Sequence, residues 1–295
     1  MKIYSRGGVG VYTDYRENII VDPDHPALVW KANKDTFNPT VFCSEARKAF
    51  PQGLPRIGSE HSEDALSWNV FRSLQLAPDK LGLTADFIAP GADFDAVYFW
   101  GRAAHQRSEQ IDPEIQDCLN QMEPWGENGV RQQTETDVIL RGRDHIIMIE
   151  SKLGRPGQAV KAWCRSRPGM RAEYAPFLER VEEQRGQALF CRAFDYEKDG
   201  NRFYQLFRNY LLGAALSLKW KSEFSLLAVV NSLNCNLDGR SHGEEFGSFR
   251  TLLAAPRNVF LITWQRIWEG LCSEPGLRPL QMWLSKHPLL QLQVQ

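Results

Sequence analysis

The stretch Asp137-Val138-Ile139-Leu140-Arg141-Gly142-Arg143-Asp144-His145-Ile146-Ile147-Met148-Ile149-Glu150-Ser151-Lys152 decides the fold. Two apolar runs flank Arg141-Gly142-Arg143-Asp144, a Gly-containing connection so short that it implies an antiparallel hairpin. The run from His145 to Ile149 is almost continuously apolar, as expected of a central strand covered on both faces. Glu150 and Lys152 stand two apart at its end and therefore share one face of the sheet.

A carboxylate and an ammonium there are costly to bury unless they pair with each other or meet a cation. If Arg143 and Asp144 form the turn, counting back along both strands sets Asp137 opposite Glu150, with its side chain on the same face. Two facing carboxylates suit a hard divalent cation, Mg²⁺ or Mn²⁺, which prefers oxygen ligands and keeps several waters. Lys152 beside them is placed to orient a water or to neutralise developing charge. The Ser151 side chain points to the other face, leaving its backbone carbonyl as a further metal ligand.

Working outward, Ser62 is a good N-cap followed by Glu63 and Asp64, and Leu66, Val70 and Leu74 supply a buried stripe as far as Pro78. Strands are expected at Val130–Leu140, His145–Lys152, Phe224–Val230 and Asn258–Trp264. Helices are expected at about Glu173–Phe194 and Arg202–Trp220. Between about 79 and 128 the sequence reads as an insertion containing a strand, Ala96–Trp100, and a helix, Pro113–Met122. Residues 1–58 read as an N-terminal extension of short strands and turns, punctuated at Asp22-Pro23, His25-Pro26 and Gln52-Gly53. The order of elements describes an α/β layered domain over 59–272 with a mixed sheet, followed by a helical tail over 273–295.

Asp137 followed by Glu150-Ser151-Lys152 on two consecutive strands, after an acidic helix, resembles the PD-(D/E)XK phosphodiesterase superfamily of restriction-endonuclease-like and RecB-like nucleases. The resemblance covers roughly residues 60–265; Thr136 stands where proline precedes the aspartate in the motif's name. It implies a restriction-endonuclease-like αβββαβ core, with a mixed central sheet flanked by helices. It also implies Mg²⁺-dependent hydrolysis of phosphodiester bonds, usually in DNA and by endonucleolytic rather than exonucleolytic cleavage, in defence, mobile-element or repair processes. Asp137 and Glu150 would be metal ligands and Lys152 a catalytic base or water-positioning group. Among the acids of the first core helix, Glu63 borders the apolar stripe and is the candidate auxiliary ligand, ahead of Glu60 and Asp64. RecB-like members carry a Gln-x-x-x-Tyr helix, to which Gln205-Leu206-Phe207-Arg208-Asn209-Tyr210 is loosely similar, marking Gln205 and Arg208 as candidate contacts. Two alternatives stand beside this reading: an RNase sharing the site, and a catalytically silent nucleic-acid- or protein-binding module of the same fold.

The chain of 295 residues has a net charge of −1, so any nucleic-acid surface must be local. Arg155, Lys161, Arg165, Arg167 and Arg171 follow the Glu150–Lys152 strand with no acid between Leu153 and Ala172, and Trp163 lies in their midst. Such a segment can hold phosphates, and its tryptophan can stack on an unpaired base. A merely solvated basic surface and a packed tryptophan are the competing readings. The six cysteines are scattered without a CxxC pair, which fits a reducing cytoplasm and no structural zinc. No run is long enough to span a membrane, and Gly7-Gly8-Val9-Gly10 lacks the GK[ST] of a phosphate loop. DNA is the expected partner, with RNA and a homodimer left open.

Overall fold

The computed structural model describes residues 1–5, 8–36, 51, 53–77, 79–86, 90–124, 135–153, 159–160, 174–191, 194–195, 198–232, 235–236 and 241–290. In chain order the strands are β1 Lys2–Tyr4, β2 Gly10–Tyr12, β3 Phe94–Phe99, β4 Arg102–Ala103, β5 Val138–Gly142, β6 His145–Lys152, β7 Ala159–Val160, β8 Glu223–Val230, β9 Cys235–Asn236 and β10 Val259–Thr263. The helices are α1 Pro26–Lys34, α2 Glu63–Leu76, α3 Pro113–Met122, α4 Ala175–Arg185, α5 Lys198–Arg202, α6 Tyr204–Trp220, α7 His242–Arg250, α8 Trp264–Leu271 and α9 Arg278–Ser285.

A six-stranded sheet, ordered β10-β8-β6-β5-β3-β4, forms the centre. β5 and β6 pair antiparallel through Val138 with Ile149 and Ile139 with Met148. This register, carried one residue further, is the one that sets Asp137 against Glu150. On its other edge β6 runs parallel to β8, Glu150 facing Ala228 and Lys152 facing Val230. The sheet is therefore mixed, with β6 at the junction between its parallel and antiparallel parts. α2, β3, β5, β6, α6 and β8 reproduce the αβββαβ order. β3 lies within the stretch read as an insertion, so that part of 79–128 belongs to the sheet itself.

Alternation along the strands divides the core into two layers. Ile139, Ile146, Met148, Leu226 and Ala228 pack with Leu206, Leu212 and Leu216 of α6 and with α3 and α4. Val138, Leu140, Ile147, Ile149, Leu227 and Val229 pack on the opposite side with α2, α8 and α9. α2 begins at its expected cap, where Ser62 Oγ accepts from the Ala65 N–H. Leu66, Val70 and Leu74 are all fully buried, but so are Trp68 and Phe71. The helix is thus covered on more than its predicted stripe, because the N-terminal segment lies over it: Trp68 Nε1 donates to Val21 O at 2.9 Å, and Ile20 N–H donates to Asn69 Oδ1 at 3.0 Å.

Four expected boundaries move, each for a local reason. His25-Pro26, read as turn punctuation, starts α1: His25 Nδ1 caps the Ala27 N–H, and the proline sits at the first turn, where its missing N–H costs nothing. Of the strand expected from Val130, residues 130–134 lie outside the described residues, 135–137 are not strand, and β5 begins at Val138. At that approach the Glu135 carbonyl accepts from Arg208 and Thr136 Oγ1 donates to Asn209, contacts a regular ladder would not make. The helix expected to reach Phe194 stops at Arg185, where Gly186 takes φ +64°, a left-handed cap that glycine adopts without steric cost. The helix expected from Arg202 to Trp220 is α6, which begins at Tyr204; Arg202 instead closes the separate short helix α5.

Candidate active site

The C-terminal end of β6 delivers the site. Glu150 is 2 % exposed, and both its oxygens are engaged. Lys152 Nζ donates to Oε1 at 2.5 Å and Asn209 Nδ2 to Oε2 at 2.6 Å. The lysine also donates to the Ser151 carbonyl at 2.9 Å, closing a tight ring over two residues of strand. Asp137 lies just before β5, and its Oδ2 accepts from the Ser151 N–H at 2.8 Å. That bond ties the aspartate to β6 and continues the sheet pairing by a side chain.

Glu63 is the first residue of α2, on the opposite layer, yet it meets the same strand end. Its Oε1 accepts from the Leu153 N–H at 2.7 Å, and its Oε2 stands 4.0 Å from Lys152 Nζ. Protein surrounds the carboxyl at close range while 37 % of the side chain is open to solvent, so the group is both desolvated and reachable.

The electrostatics bear on what the cluster could hold. Burial, followed by the charge of Glu150, raises the Asp137 carboxyl well above the usual carboxylate range. Burial also raises Glu63, partly offset by Lys152 and the Leu153 N–H. Burial alone would lower Lys152, but Glu150, Glu63 and Asp137 outweigh it and hold the ammonium charged. One buried cation among three acids leaves negative charge uncompensated, the condition a bound divalent ion relieves. The donors are hard oxygens. Among the described residues no group of three His, Cys, Asp or Glu side chains forms a ready metal cage. The set on offer is the Asp137–Glu150 pair with Glu63 beyond Lys152, which fits an ion such as Mg²⁺ that binds through one or two carboxylates and retains water.

Of the residues singled out on α6, Arg208 enters this network, donating from Nη2 to the Glu135 carbonyl at 2.7 Å and to Asn209 Oδ1 at 2.8 Å. Gln205, one turn earlier, is half-buried. Asn209 itself escaped the sequence reading. The signal was an amide on a helix face between Leu206 and Leu212, a polar group that an apolar stripe admits only with a buried partner. His242, at the start of α7, is buried within electrostatic reach of Lys152. Burial and the nearby Lys152 charge push its imidazole down to about 4, so it stays neutral. Arg155, Lys161, Trp163, Arg165, Arg167 and Arg171 lie outside the described residues.

Cys118, Cys191 and Cys272 are free thiols, and no described helix is long and apolar enough to cross a membrane. No curated protein and no solved structure matches the chain. A family model does match, over residues 59–287, from just before α2 to just beyond α9. It spans the whole αβββαβ core and each of the residues Glu63, Asp137, Glu150 and Lys152. With the mixed sheet and the strand-end cluster in hand, the chain belongs to the family described as restriction endonuclease associating with ARP, within the restriction-endonuclease-like superfamily of nucleases.

Proposed function

We propose that the protein is a Mg²⁺- or Mn²⁺-dependent endonuclease that hydrolyses phosphodiester bonds in DNA. The observation carrying this reading is the convergence of Asp137, Glu150 and Glu63 around Lys152 at one strand end, with more acid than base buried there. Asp137 and Glu150 would hold the cation, with Glu63 joining directly or through water and the Ser151 carbonyl as a further oxygen. Such a cation, when bound, acidifies a water and stabilises charge on the phosphate oxygens.

The chain's own residues supply the rest. Asn209 and Lys152 fix both Glu150 oxygens, so this carboxylate cannot rotate away from Asp137. Held charged by its acidic neighbours, Lys152 is suited to donate hydrogen bonds to the attacking water or to a non-bridging phosphate oxygen, rather than to act as a base. The basic run from Arg155 to Arg171, leaving the same strand, supplies phosphate contacts that position DNA without reading its sequence. The family's description names an association with ARP, and we extend that association to this chain.

The test is nicking and linearisation of supercoiled plasmid with Mg²⁺ or Mn²⁺, beside linear single-stranded DNA, double-stranded DNA and RNA. Cleavage of closed circles that vanishes in Asp137→Ala and in Lys152→Ala is expected. Cleavage surviving both substitutions, or cleavage of RNA alone, overturns the reading. Tight metal-independent DNA binding without cleavage would instead identify a silent binding module.

A further inference from the structure

Lys31 lies on α1, outside the span matched by the family. Its side chain is only 11 % exposed, yet its ammonium meets three carboxylates: Asp35 Oδ2 at 3.1 Å, Glu135 Oε2 at 3.2 Å and Asp64 Oδ2 at 3.5 Å. Asp35 belongs to the end of the same helix, an ordinary pair four residues apart. The other two belong to the elements that carry the site. Asp64 follows Glu63 in the first turn of α2, and Glu135 precedes Asp137 by two residues.

Each of these acids is fixed on its far side. Asp64 Oδ1 accepts from Trp100 Nε1 at 2.8 Å, and Lys31 Nζ rests 5.2 Å from the centre of the same indole. Glu135 Oε1 pairs with Lys34, and the Glu135 carbonyl accepts from Arg208, whose guanidinium also holds Asn209. A continuous path therefore runs from Lys31 through Glu135, Arg208 and Asn209 to Glu150, and a second through Asp64 to its neighbour Glu63. A buried ion pair is weak evidence for stability, because desolvation of the charges offsets their attraction. A buried lysine that spans two catalytic elements is better explained by the geometry it imposes.

We propose that Lys31 is a positioning residue of the active site: by bridging Asp64 and Glu135 it sets the spacing between the α2 start bearing Glu63 and the approach to β5 bearing Asp137. The N-terminal segment would then be part of the nuclease machinery rather than an appendage. This rests on the metal-site reading above.

The test is Mn²⁺ titration of the full chain followed by electron paramagnetic resonance, in the wild type, Asp137→Asn, Lys31→Met and Lys31→Arg. Electrostatics and positioning predict opposite signs. Deleting a cation beside an acidic site tightens metal binding if charge alone matters; releasing the two elements weakens it. We expect Lys31→Met to weaken Mn²⁺ binding by about ten-fold, the loss typical when a group supporting a metal ligand is removed. Plasmid nicking at saturating Mg²⁺ and DNA should slow by a similar factor at unchanged KM for DNA, with Lys31→Arg restoring part of both. Mn²⁺ binding in folded Lys31→Met that equals or exceeds the wild type overturns the proposal. Should Lys31→Met fail to fold by circular dichroism, Lys31→Met/Asp35→Asn removes the acid left unpaired at constant net charge and is read in the same way. Wild-type Mn²⁺ binding that is absent or indifferent to Asp137→Asn overturns the metal-site reading, and this inference with it. That result is distinct from an Asp137-dependent site untouched by Lys31→Met.

Discussion

Asn209 Nδ2 donates to Glu150 Oε2 at 2.6 Å, and the orientation of that amide is dictated from behind. Thr136 Oγ1 and Arg208 Nη2 both donate to Asn209 Oδ1, which leaves the nitrogen end facing the glutamate. Asn209→Asp preserves the two donors' partner but sets a carboxylate against a buried carboxylate. Plasmid nicking by Asn209→Asp should be roughly 10–100-fold slower than wild type. Wild-type rates would show that the hold on Glu150 is irrelevant to turnover.

Asp137 is kept in an environment that disfavours its charge, through burial and Glu150. For an acid whose folded pKa is raised, the ionised form at neutral pH destabilises the fold, and removing the charge relieves it. Asp137→Asn should therefore be inactive in nicking yet have a Tm, in metal-free buffer at pH 7, at or above that of the wild type. A clear drop in Tm would mean that the bond to the Ser151 N–H outweighs the electrostatic strain.

Gly213, four residues after Asn209 on α6, packs directly against side chains of the sheet. A Cβ there would stand 2.7 Å from Met148 Cγ and 2.8 Å from the Phe224 ring. Alanine gains about 1 kcal/mol in helix propensity, against about 1–3 kcal/mol for overpacking a tight core. Gly213→Ala should be destabilised by on the order of 1 kcal/mol in urea denaturation, the difference of those two effects. Because lifting α6 also lifts Asn209 from Glu150, the nicking rate should fall by more than the stability loss accounts for.

His287 is buried beyond α9, and burial, reinforced by His61, pushes its imidazole down to about 4. The unfolded chain titrates near the ordinary histidine value, so between about pH 6.5 and 4 the unfolded state takes a proton that the folded state refuses. Stability is unaffected by this group above that window and falls as pH drops through it, by roughly 1.4 kcal/mol per pH unit. Urea midpoints for the wild type and His287→Gln at pH 7.5, 6 and 5 should converge as the pH falls. Parallel slopes would assign the acid sensitivity to other groups.

How much of this was readable in the sequence depends on how local the determining interaction is. The β5–β6 register follows from a two-residue turn, and Ser62 announces α2 through a bond to a backbone only three residues on. The pairing of Asp137 with Glu150 inherited that certainty. The hold on Glu150 by Asn209 spans 59 residues, and the contact of Lys31 with Glu135 spans 104. Neither separation leaves a periodic trace, and Lys31 in its short helix looks like any solvated cation. The N-terminal segment was opaque for the same reason: it is joined to α2 by scattered contacts from Asp64, Trp68, Asn69 and Arg72, whose types advertise no particular partner.

The place of β6 in the sheet also fixes an order of events. Its contact with β5 closes a hairpin of a few residues, a loop of low entropic cost, whereas its contact with β8 must wait for a strand that begins at Glu223. Asp137 and Glu150 can therefore meet as soon as the hairpin exists, long before α6 and Asn209 are in place to hold Glu150 still. On a ribosome, the chain would carry its two principal acids together but unlocked until about residue 230 had emerged. Loosening α6 in the finished protein would return it to that condition, losing competence before losing its sheet.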